Sequence, residues 1–148
     1  MADIRHEVGI GAPPARVYEA FATTEGLASW WTREVEGDAG KGGTLRFFFG
    51  QPEPAATMEV VDARPDERVE WRCVGGPDEW VGTTFTFDLK PKRDGTMVLF
   101  TNAGWREPVD FIHHCSTRWA YFLLGLKSGL EGGKASPWPD DQRTDDWS

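Results

Sequence analysis

Between Pro108 and Glu131 the apolar residues Ile112, Cys115, Trp119, Phe122, Leu123, Leu126 and Leu130 recur at steps of three and four. That spacing places them on one stripe of an α-helix. The far side reads Asp110, His114, Arg118 and Lys127, so the helix is amphipathic and its stripe must lie against a partner surface. Pro108 suits a first turn and the Gly132-Gly133 pair suits a stop. The prediction is a helix of about 22 residues and about 33 Å.

Upstream, the period changes to two. Ile4, His6, Val8 and Ile10 alternate with Arg5, Glu7 and Gly9, which predicts a half-buried first strand. Gly11-Ala12-Pro13-Pro14 ends it, and Val17, Ala20 and Phe21 give a short helix from about Pro13 to Ala22. Thr23 or Thr24 can cap a second helix, Glu25 to about Trp31, followed by the polar stretch Thr32 to Gly43. From there short strands alternate with Gly/Pro/Asp-rich turns: Thr44 to Phe49, Met58 to Ala63, Arg68 to Val74, Val81 to Lys90 and Thr96 to Asn102.

Alternation assigns the faces of this antiparallel meander. Leu45, Phe47 and Phe49 share one side, as do Val69, Trp71 and Cys73, then Thr83, Phe85, Phe87 and Leu89, then Val98, Phe100 and Asn102. Arg68, Glu70, Arg72, Thr84, Thr86 and Asp88 point the other way. The expected fold is therefore α+β: a curved six-stranded antiparallel sheet wrapped around a long C-terminal helix, with two short helices between strands one and two. The order is β-α-α-β-β-β-β-β-α. One domain is expected over residues 1–132. The acidic tail, 133–148, follows neither period and is mobile unless Trp138 or Trp147 docks.

At 148 residues and 39% hydrophobic the chain is large enough for a real core. Eight tryptophans and nine phenylalanines either fill that core or line a cavity. A net charge of −8, with no local Lys/Arg cluster, repels phosphate backbones and argues against nucleic-acid binding. Cys73 and Cys115 each stand alone among apolar residues and read as small buried hydrophobes in a reducing compartment. No basic-then-apolar leader and no bilayer-length apolar run are evident, so a cytoplasmic protein without a membrane span is expected.

The element order, with Ala12-Pro13, Val17-Tyr18, Trp30-Trp31, Gly42-Gly43-Thr44-Leu45, Gly104-Trp105, Trp119, Phe122-Leu123 and Leu126-Lys127, resembles the SRPBCC or START-like superfamily. The branch it is similar to is that of the activator of the heat-shock chaperone ATPase (AHSA-like). The resemblance covers about residues 4 to 132. It implies a helix-grip fold with a cavity between sheet and long helix. Members bind lipids, polyketides, sterols or hormones, and some are enzymes. Many relatives carry a histidine where this chain has Asn102.

The expected cavity residues are His6, Trp30, Phe47, Phe49, Trp71, Thr83, Phe85, Phe87, Phe100, Asn102, Trp105, Cys115, Trp119 and Phe122, with His6 and Asn102 as polar anchors. Trp31 is a further candidate for the cavity mouth. His113 and His114 are about 100° apart on a helix and cannot face one metal together. The loop Gly37 to Thr44 imitates a phosphate cradle but leads into a strand where a P-loop leads into a helix. No nucleophile elbow, zinc motif or inward carboxylate pair is present, so no catalytic residue, metal or cofactor is expected.

Three functions follow in order. The first is binding of a small hydrophobic or aromatic molecule in the cavity. The second is a chaperone-cofactor role in the stress response, with the outer surface docking on a heat-shock chaperone. The third is a cavity hydrolase or cyclase.

Overall fold

A computed structural model describes residues 2–146; Trp147, one of the two tail tryptophans whose docking would make the tail less mobile, lies outside them. The elements are β1 (Ala2–Ile10), α1 (Pro14–Ala22), α2 (Thr24–Ala28), β2 (Glu34–Gly37), β3 (Thr44–Phe48), β4 (Ala56–Arg64), β5 (Arg68–Gly75), β6 (Thr84–Lys92), β7 (Gly95–Trp105) and α3 (Phe111–Leu130). One antiparallel sheet has the order β1-β7-β6-β5-β4-β3-β2, so the first strand pairs with the last and all others follow their sequence neighbours. This is the helix-grip arrangement.

The sheet has seven strands, where the alternation predicts six. The extra one, β2, pairs Glu34 with Phe48 through Gly37 with Leu45. Its sequence Glu-Val-Glu-Gly is nearly all solvent-facing at the sheet edge, so burial leaves no alternation to read. Gly37 ends it at φ 117°, and a Cβ there would stand 2.0 Å from the Thr44 carbonyl oxygen, so only glycine makes this turn.

Local chemistry sets the helix boundaries. Pro14 opens α1 at a position whose N–H would be unused, and the Thr23 hydroxyl caps α2 by accepting from the Gly26 N–H at 2.9 Å. The long helix begins at Phe111, three residues beyond Pro108. Its buried stripe is Cys115, Trp119, Phe122, Leu123 and Leu126. Lys127 donates to the Gly9 carbonyl at 2.6 Å and to Glu131 at 2.8 Å, while Glu131 accepts from the Gly11 N–H at 2.7 Å. These bonds tie the end of α3 to the end of β1.

Between sheet and helix the aromatic side chains pack against one another. Trp119 sits at the middle, its ring 4.7 Å from Phe100, 4.8 Å from Trp31 and 5.5 Å from Phe85. Phe21 stacks on Phe87 at 4.3 Å, and Trp71 meets Phe87 edge-on at 4.9 Å.

The segment after α3 lies against the domain. Trp138 forms a parallel bridge with Thr32: its N–H donates to the Trp31 carbonyl at 2.9 Å, and its carbonyl accepts from the Arg33 N–H at 3.1 Å. Further along, the Gln142 N–H donates to the Tyr121 hydroxyl at 2.8 Å. The strap 137–146 thus runs back along α3. No helix among the described residues is long and apolar enough to cross a membrane.

Candidate functional site

A cleft of about 310 Å³ opens where the sheet ends and the connections begin. Helix α3 supplies one wall through Phe111, His114, Cys115, Arg118, Trp119 and Phe122, which recur at three and four residues and therefore form one helical stripe. Trp31 comes from the end of the α2 connection, and Phe49, Ala55 and Ala56 from the β3–β4 turn. Pro77 and Trp80 come from the β5–β6 turn, Trp138 and Asp141 from the strap.

Of the residues expected to line a cavity, Phe49, Cys115, Trp119 and Phe122 meet here. The others lie elsewhere. Phe47, Trp71, Phe85, Phe87 and Phe100 are packed ring against ring and at most 1% exposed. Trp30 donates its indole N–H to the Ala20 carbonyl at 2.8 Å and borders a separate hollow beside Tyr121 and Leu124.

The two expected anchors have protein partners. Asn102 is fully buried; its amide donates to the Thr83 hydroxyl and the Thr84 carbonyl, each at 3.1 Å, and its oxygen accepts from the Trp105 indole at 2.8 Å. The Thr83 hydroxyl in turn donates to the Trp80 carbonyl at 2.7 Å. His6 pairs through Nε2 with the Ser116 carbonyl at 3.0 Å and lies parallel to Phe100.

Two polar residues of the cleft, His114 and Arg118, come from positions that the sequence pattern places on the solvent side of α3, and the third, Asp141, comes from the strap. Arg118 and Asp141 form an ion pair with side chains 14% and 15% exposed. The same guanidinium donates to the Gln142 carbonyl at 2.7 Å and lies over the Phe122 ring at 4.7 Å. One turn earlier, His114 Nδ1 is 2.6 Å from Asp145. The strap therefore covers the face that helical periodicity reads as polar. Trp138 carried a signal, since an indole between two prolines in a polar tail suggests docking; Asp141 carried none.

Cys115 lies at the cleft floor. The Trp80 indole N–H points to its sulfur at 3.4 Å, yet burial dominates and pushes the thiol pKa up to about 12. Such a thiol stays protonated and does not act as a nucleophile near neutrality. Among the described residues no group of three or more His, Cys, Asp or Glu is placed to hold a metal ion.

The family model described as activator of Hsp90 ATPase homolog 1-like protein matches residues 11–131. The chain belongs to that family. The Aha1 protein of Colwellia psychrerythraea, solved in solution as a dimer, is 40% identical over 91% of this chain and 100% of its own, with a TM-score of 0.82. Family members and more distant relatives share the fold. A Staphylococcus saprophyticus protein superposes with a TM-score of 0.76 at 19% identity, covering 92% of this chain and 97% of that one. CalU16 of Micromonospora echinospora does so at 0.66 and 22%, covering 90% of this chain and 75% of its own. No curated protein matches the chain. The family match ends at residue 131, before the two strap residues that line the cleft.

Proposed function

We propose that this domain binds a small, flat aromatic or hydrophobic molecule in the cleft beneath the strap. The observation that carries the reading is the ring of Trp31, Phe49, Trp80, Phe111, Trp119, Phe122 and Trp138 around a volume of about 310 Å³. Ligand sites typically have about 300–1,000 Å³, mainly apolar walls and few polar groups. Rigid rings hold such a space open at little entropic cost because they have few rotamers to lose.

The test is titration with neutral planar aromatics, followed by tryptophan emission and melting temperature. Binding should quench the wall tryptophans and raise the midpoint by mass action. Ala55, exposed on the β3–β4 turn and facing the cleft, offers a filling substitution. Ala55→Trp should abolish binding while leaving the unfolding midpoint close to the parent's. A parent that neither quenches nor gains stability with any such probe would refute the reading.

A second reading, docking on a heat-shock chaperone, is favoured by the 40% identity to a protein named Aha1. The outer sheet face offers a charged cluster for it, in which Arg68 bonds Glu70 at 2.8 Å and Asp88 at 2.5 Å. Co-precipitation of a chaperone ATPase that is lost in Arg68→Glu, with cleft binding unchanged, would support it.

A further inference from the structure

We propose that the ligand of the cleft is an aromatic carboxylate, and that it binds by taking the place of Asp141 on Arg118. The proposal rests on the ligand-binding reading above and adds the charge of the ligand and the group it displaces.

Arg118 carries the argument. Its guanidinium lines the cleft beside Phe122, is largely shielded from water, and finds its acceptors on the strap: the Asp141 carboxylate, the Gln142 carbonyl and the Thr144 hydroxyl. A shielded cation left without a counter-anion is strongly unfavourable, so an empty cleft needs an internal carboxylate at this point. A ligand carboxylate can replace it in kind, because the guanidinium N–H groups donate to any carboxylate that reaches them. A chain of net charge −8 repels small anions overall, so a local cation is required for one to bind.

The exchange can be local. Trp138 is held by backbone bonds to Trp31 and Arg33 and stays as a wall. Beyond it Asp140 pairs with Arg33, the Gln142 N–H donates to the Tyr121 hydroxyl and Asp145 meets His114, so these contacts hold the strap backbone and the ligand has to displace only the Asp141 side chain from Arg118.

The experiment uses the full chain with naphthalenecarboxylate and its neutral amide, probes of one shape that differ in charge. In Asp141→Asn the carboxylate should bind about tenfold more tightly than in the parent, since it no longer competes with an internal anion, whereas the amide should be unchanged. The carboxylate should also restore the melting temperature lost in that variant; the amide should not. In Arg118→Met, with Asp141 kept, the carboxylate should lose about tenfold or more and the amide should still bind. This second variant decides the matter if Asp141→Asn does not fold. Equal affinities for both probes in parent and variants, or amide binding without carboxylate binding, would overturn the proposal and leave the cleft reading intact. If neither probe binds any variant, the cleft reading falls with it.

Discussion

Removing the Asn102 side chain gives the sharpest test of what the buried polar groups are for. Asn102 joins Thr83, Thr84 and Trp105 through three hydrogen bonds, in a place where Asn102, Thr83 and Trp105 are 0–1% exposed. In Asn102→Ala the Trp105 N–H loses its acceptor, and an orphaned buried donor costs about 1–3 kcal/mol. The Thr83 hydroxyl keeps its bond to Trp80 but loses the donation it accepted, and the missing amide leaves a small void. Together these give about 2–4 kcal/mol, set against a typical domain stability of ~5–15 kcal/mol. Urea unfolding followed by tryptophan emission should show a lowered midpoint with unchanged slope, and the melting temperature should fall by about 5–15 °C. Adding Trp105→Phe to Asn102→Ala should cost less than Trp105→Phe alone, because the indole N–H is already unpaired. Probe affinity in the cleft should not change. An unfolding free energy within about 1 kcal/mol of the parent's would show that the network carries little stability, and a loss of probe binding would return Asn102 to the role of ligand anchor.

Two further outcomes are expected. Trp119→Ala empties the centre of the ring cluster and should cost about 3–5 kcal/mol in urea unfolding; a parent-like midpoint would mean the α3 stripe does not face the core. Cys115 holds its proton more tightly folded than unfolded, with a pKa near 12 against 9.0, because burial disfavours the thiolate. Its contribution to stability is thus present in full below about pH 9.0 and is lost as pH rises toward 12. Stability should therefore fall more steeply above that pH in the parent than in Cys115→Ala, as read from urea midpoints at stepped pH. Equal slopes would place the thiol in a less buried site.

What the sequence made legible was whatever one-sided burial writes into a period. The α3 stripe, the Pro-Pro start of α1 and the alternation of β5, β6 and β7 each bury one face and read through. Strand β2 did not, because an exposed edge strand held by backbone bonds to β3 places little demand on its side chains. The polar side of α3 was legible as polar but not as covered. Periodicity reports which residues avoid water; it cannot report that Arg118 and His114 are shielded by carboxylates met 23 and 31 residues later. Nothing local distinguishes Asp141 from Asp140, whose partner Arg33 forms an exposed ion pair.

The same reasoning explains why the cleft lies at the rim and not at the centre. A resemblance to a cavity-bearing fold, joined to the inward aromatics, places the space between sheet and helix. In this chain large inward residues pack there: Trp71, Phe85, Phe87, Phe100 and Trp119 each lie within ring-contact distance of at least two of the others. The cleft lies beyond the strand ends, where Phe49, Ala55, Pro77 and Trp80 sit on turns and no regular ladder forces the backbones together. Turns alone would leave that volume open to water. Trp138 and Asp141 add to its wall, one with an indole ring and one as the ion-pair partner of Arg118, so a segment without secondary-structure period supplies both wall and countercharge to the cleft.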